Sequence, residues 1–111
     1  MITRSAIFEG RITPGCEEAF FAAVRDRLAP LWAQFPDASN IRWQRIAARD
    51  EDAPPIVMLQ QVDYPSLAAL EAALASPIRA RARAVTMEIL EMFEGRFYHL
   101  VSAGNGMESA A

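Results

Sequence analysis

The stretch SPIRARARAVTMEILEMFEGRFYHLV, from Ser76 to Val101, reads as one complete helix followed by one strand. Ser76 suits an N-cap and Pro77 the first helical position, where its missing N–H is not needed. Ile78, Ala82, Val85, Ile89 and Met92 recur in steps of four and three, which marks one buried helix face. Gly95 after Phe93-Glu94 predicts a left-handed helix stop. The aromatic and branched run from Arg96 to Val101 predicts a strand, and it carries the only histidine of the chain, His99.

At the start of the chain, Ile2 to Ile12 is a first strand, with Ala6, Phe8 and Gly10 on one face and Ser5, Ile7 and Glu9 on the other. Thr13-Pro14 predicts a helix start, and Glu17 and Glu18 fall where the helix dipole favours acids. Phe20, Val24, Leu28, Leu31 and Phe35 keep helical spacing, while Pro30 predicts a kink between Asp26 and Pro30. Ile41 to Ala47 and Ile56 to Val62 read as strands two and three, separated by an exposed acidic, proline-ended loop. After the turn at Asp63-Tyr64-Pro65-Ser66, where Asp63 or Ser66 is the cap, Leu67, Leu70 and Leu74 line a short helix that halts at Ser76-Pro77. Residues 1–102 therefore make one domain, and Ala103 to Ala111 is expected to be a flexible tail.

The predicted order is strand, helix, strand, strand, helix, strand. Right-handed crossovers fold it into a ferredoxin-like antiparallel sheet of the α+β class, with both helices on one face. The other face is left bare, and an apolar bare sheet needs a cover, so the chain is expected to close as a homodimeric α+β barrel.

Composition narrows the function. Net charge is −3 and all eleven basic residues are arginine, scattered rather than massed, which makes nucleic acid a poor partner. The single Cys16 excludes an intrachain disulfide and a multi-cysteine metal site. No leader and no membrane-length apolar run is visible, so a soluble cytoplasmic protein without membrane contact is expected.

Pro14-Gly15-x-Glu17-Glu18-x-Phe20 after a first strand, then Tyr64 followed by Leu67-x-x-Leu70-x-x-x-Leu74-Ala75-Ser76-Pro77, resembles the dimeric α+β-barrel superfamily of antibiotic-biosynthesis-monooxygenase and EthD-like type. The resemblance spans about Ile2 to Val101. It implies two ferredoxin-like sheets facing each other across a homodimer, with ligands between sheet and helices or inside the barrel. It also implies three candidate functions. The first is a cofactor-independent monooxygenase acting on an aromatic or polyketide-like substrate. The second is a non-catalytic accessory or ligand-binding dimer of a catabolic pathway, and the third a lactone isomerase. Relatives often carry a histidine in the second helix, where this chain has Ala73 and Ile78, and the absence of any helical histidine speaks against haem. No cofactor and no metal are expected; the partners are a second copy and a small apolar or aromatic ligand.

His99 is the candidate general base, since its pKa lies near neutrality and it shares a strand face with Phe97 and Val101. The competing reading is a packed, hydrogen-bonded core histidine. Arg42, Gln60 and Tyr64 are candidates to orient a substrate oxygen; Gln60 and Gln61 lie on opposite faces, so one amide should point into buried space. Glu9, Trp43 and Tyr98 are candidate ligand-binding residues, set against edge charges in water for Glu9 and a core role for Trp43. Arg79 and Arg83 align on the helix while Arg81 points elsewhere, a pattern that favours a solvated flank over an anion site.

Overall fold

In the computed structural model, which describes residues 1–104, the predicted order is realised. Strand β1 (Ile2–Ile12) leads to helix α1 (Glu17–Ala23), a π-helical turn (Val24–Leu28) and α2 (Ala29–Trp32). Strands β2 (Ser39–Arg45) and β3 (Ile56–Tyr64) follow, then α3 (Leu67–Leu74), α4 (Pro77–Ile89) and, after a 3-10 turn at Leu90–Met92, β4 (Phe93–Ala103). The sheet runs β2-β3-β1-β4, antiparallel throughout, with the helices on one side. This is the ferredoxin-like arrangement of the α+β class.

Pro30 acts where expected, and the kink takes the form of a π turn. Proline offers no N–H to the carbonyl four residues back and its ring crowds that carbonyl. The helix widens instead, and the N–H of Ala29 bonds the carbonyl of Val24, five residues earlier. The extra residue re-phases the last turn, so that Leu31 and Trp32 are buried against the sheet.

Local corrections have physical causes. Thr13-Pro14-Gly15 is a turn rather than a helix start: the N–H of Cys16 donates to the carbonyl of Thr13 at 2.9 Å, and Gly15 has φ 88°. The helix begins at Glu17, with no side-chain cap from Cys16. Ser66, not Asp63, caps α3, accepting from the N–H of Ala69 at 3.1 Å. Strand β2 begins at Ser39 and stops at Arg45, earlier than the apolar pattern implied. Gly95 stops no helix. It lies in β4 directly opposite Gly10 of β1, both with φ near +149°, because the two backbones approach too closely there for any side chain. The tail expected from Ala103 onward starts within β4, and residues 105–111 lie outside the described residues.

The core forms between the helices and one sheet face. Phe8, Phe20, Val24, Leu28, Met58 and Ile89 are fully buried, and Phe8 meets Phe20 and Phe93 edge-on at 6.3 and 6.2 Å. A second cluster gathers Val62, Tyr64, Leu70 and Ala73 under α3. The face away from the helices is more polar than expected: Thr3, Ser5, Gln61 and Asp63 share it with Ile7, Leu59, Tyr98 and Leu100. Among the described residues no helix is long and apolar enough to cross a membrane.

Candidate active site

One cleft opens between the helix-side face of the sheet and α4, with about 70 Å³ of room. Its position follows from register. Ala6 on the central strand β1 pairs with Gln60 of β3 on one side and His99 of β4 on the other. Side chains opposite each other in an antiparallel pair project to the same face. The methyl of Ala6 therefore leaves a gap between a glutamine and a histidine two strand spacings apart, roughly 10 Å. One step along, Phe8 and Phe97 make an apolar floor. Trp32 and Phe35, set by the re-phased helix end, close one wall; Ala82 and Thr86 of α4 form the roof.

Gln60 and Tyr64 are 6% and 2% exposed, and among the described residues neither side chain has a hydrogen-bond partner. Buried amides and hydroxyls are normally paired, so both face the cleft with their donors and acceptors in reserve. Burial pushes the Tyr64 hydroxyl pKa up, and Arg4 opposes this only in part; the group stays a proton donor at neutral pH. Thr86 donates to the carbonyl of Ala82 at 2.8 Å and keeps its lone pairs toward the cleft.

His99 packs edge-on against Phe97 at 4.7 Å and is half-buried. Its pKa falls from 6.5 to about 4, first through burial and then through the like charges of Arg4, Arg79 and Arg83. The imidazole is thus neutral at pH 7. The unfolded chain takes up this proton at higher pH than the folded one, so the associated stability is complete above about pH 6.5 and drains away as pH falls toward 4. The wild type is expected to lose roughly 1 kcal/mol more than His99→Gln between pH 7 and pH 5, after allowance for solvent screening at a half-buried site. Urea midpoints of the two proteins across that range check this; parallel curves would refute it.

Three arginines surround the histidine. Arg4 reaches the cleft from β1, and Arg79 and Arg83 stand one helical turn apart at its mouth. The signal for Arg4 was present in the sequence, as a charged residue in step with Ala6 and Phe8 on an apolar face. Arg79 and Arg83 are exposed, as a solvated flank would be, yet they border the cleft. Only the tertiary packing of α4 on β4 reveals that.

The remaining candidates lie elsewhere. Glu9 and Tyr98 are on the opposite sheet face, where the Tyr98 hydroxyl donates to Glu9 at 2.9 Å and Arg96 donates to both Glu9 oxygens at 3.3 Å. Arg96 and then Tyr98 hold the Glu9 carboxyl below its ordinary pKa. Arg42 also faces away, 3.3 Å from Asp63. Burial pushes the Asp63 carboxyl pKa up, but bonds from Asn40, Thr3 and Arg42 outweigh it and the net shift is downward. Gln61 spends its amide on Ser5 at 3.1 Å on that same face. Trp43 is on the helix side but one strand further out, in a shallow depression with Phe21 and Arg45. Period-two alternation separates these residues from the cleft, and so does the edge position of β2. Among the described residues no three His, Cys, Asp or Glu side chains converge as a metal ligand set would.

No protein-family profile matches the sequence, and no curated protein matches it. Solved structures do match the fold. An EthD-family protein from Bacillus halodurans C-125 superposes with a TM-score of 0.72 at 15% identity, covering 94% of this chain and 98% of that one. An antibiotic biosynthesis monooxygenase superposes with a TM-score of 0.62 at 14% identity, over 96% of this chain and all of the other. A dimeric ferredoxin-like protein of unknown function from Thermobifida fusca gives 0.63 at 17% identity, over 92% and 89%. The chain has the fold that EthD-family and antibiotic-biosynthesis-monooxygenase proteins share, as the motifs around Pro14 and Tyr64 implied.

Proposed function

We propose that the protein is a small-molecule enzyme that removes a proton from an electron-rich phenolic or enolisable substrate, as the opening step of cofactor-free oxygenation. The observation that carries this reading is a neutral imidazole facing an apolar cleft beside three guanidiniums that meet no carboxylate among the described residues. His99 takes the proton, and Arg4 stabilises the oxyanion left behind. Gln60 and Tyr64 orient the ring through their unspent donors. The resulting carbanion reduces dioxygen and binds it as a peroxide; loss of water from that peroxide, with the proton held by His99 returned to the leaving oxygen, turns the CH2 carbon of the keto form into a carbonyl, so the substrate supplies all four electrons. The names of the fold's solved relatives support the same class. The test is oxygen uptake by metal-free protein across a panel of quinols and polyphenols. Uptake with at least one of them is expected, and none across the panel would refute the reading.

A non-catalytic ligand-binding protein is the second reading. It is favoured by the His99 pKa near 4, which makes the imidazole a weak base while the cleft is empty. A small molecule retained in native mass spectra of a preparation without oxygen uptake would select it.

The mixed face bearing Ile7, Leu59 and Leu100 is proposed to pair with a second copy. Leu100 is 55% exposed there, and the Thermobifida fusca neighbour is described as dimeric. Sedimentation at micromolar concentration is expected to give twice the 12.3 kDa chain mass. A single 12.3 kDa species would remove the proposal.

A further inference from the structure

The distribution of arginine partners sets the cleft apart. Arg11, Arg25, Arg27, Arg42, Arg45 and Arg96 each meet a carboxylate. Arg4, Arg79 and Arg83 meet none among the described residues, and neither do the exposed Arg49 and Arg81, but only the first three line one cleft. Among the described residues the cleft lining contains no acidic side chain. Arg79 and Arg83 stand at i and i+4 on α4, where like charges repel rather than support the helix. Arg4 is depressed in pKa by burial and then by Arg79, which places those two guanidiniums in each other's field. Three cations that meet no carboxylate among the described residues, converging on one opening, describe half of an ion-pairing site. One developing oxyanion deep in the cleft satisfies Arg4 and leaves the pair at the mouth unsatisfied.

We propose that the ligand carries a second, permanent negative charge: it is an aromatic carboxylate, its carboxylate gripped by Arg79 and Arg83 at the mouth and its ring against Phe8 and Phe97. This rests on the proposed function for the placement of the reacting hydroxyl inward. The carboxylate grip itself depends only on the cleft. A guanidinium offers two parallel N–H groups to a carboxylate, and the ring fills the apolar floor that an inorganic anion would leave empty.

The test compares 2,5-dihydroxybenzoate with hydroquinone, the same ring without the carboxylate, by isothermal titration calorimetry. Wild-type protein is expected to bind the benzoate about tenfold or more tightly than hydroquinone, the scale of charge-assisted hydrogen bonds. That preference should shrink as salt rises, because the mouth is open to solvent. Arg79→Gln/Arg83→Gln is expected to abolish the preference while hydroquinone binding stays the same, and Arg81→Gln, outside the cleft, is expected to keep it. All three arginines are exposed, so folding is not at stake. Equal affinities in wild type, no measurable benzoate binding, or a preference surviving in the double variant would each overturn the proposal. His99→Ala separates the two ideas. It is expected to lose turnover yet retain the preference for the benzoate. Undiminished turnover in that variant would strike the acid–base reading and leave the carboxylate grip standing.

Discussion

His99→Ala is expected to lower the rate of oxygen uptake by about 100-fold to 10,000-fold, the range over which a positioned base contributes to proton transfer. The expectation follows from environment rather than residue type. The cleft holds the imidazole neutral, with its pKa at about 4, so the base form is fully populated at pH 7. The weakness of such a base is offset by Arg4, which lowers the free energy of the anion that forms beside it. His99→Gln serves as a companion because it retains bulk against Phe97 but cannot accept a proton. Equal losses in the two variants identify lost basicity, whereas a loss confined to alanine would identify packing. The pH profile carries a sign as well. In the free enzyme kcat/KM should rise with pH through about 4 and level off above it. Removing like charge at Arg79 and Arg83 should move that acid limb upward, though only partway to 6.5, since burial is the larger cause of the shift. A limb that stays in place in the double variant would show that these guanidiniums do not act on the imidazole.

Gly95→Ala is expected to destabilise the fold by about 3 kcal/mol or more, a large part of the roughly 5–15 kcal/mol available to a domain. A Cβ on Gly95 would lie 2.1 Å from the carbonyl oxygen of Glu9 and 2.7 Å from the Cα of Gly10. Both obstacles are backbone, so no side chain can swing aside. The φ of 149° adds strain for any residue with a Cβ. Relief requires β1 and β4 to part at this point or to shift register. A one-residue slip turns every side chain of a strand to the other face, which would carry His99, four residues along β4, out of the cleft. The urea midpoint of Gly95→Ala should drop sharply and oxygen uptake should drop with it; an unchanged midpoint would mean that the strands separate here without cost.

What this sequence discloses of its own fold follows the range of the forces involved. Local rules carried far: Pro30 announced its own disruption of the first helix and the strand alternation its two faces, while the cap of α3 stayed open between Asp63 and Ser66 until the fold placed the Ser66 hydroxyl under the N–H of Ala69. The pairing of Gln60 and Gln61 on opposite sides already implied that one amide enters buried space, and Gln60 is that one. Gly95 misled, because a glycine after a helical run signals a helix stop and a close strand approach alike. Arg42, Glu9 and Tyr98 looked equivalent to Gln60 as polar residues in strands, since no local pattern says which face of a sheet the helices cover.

The amino-acid sequence alone therefore determined the order of elements, the ferredoxin-like topology and the identity of the histidine, all of which follow from periodicity, turn chemistry and chain connectivity. The tertiary structure decided which sheet face became the cleft, and it alone brought Arg4, Arg79 and Arg83 around His99. Those arginines come from a strand and a helix some 75 residues apart in the chain. Charges that far apart in sequence meet only through the packing of α4 on the sheet, a sum of many weak contacts that no single stretch encodes.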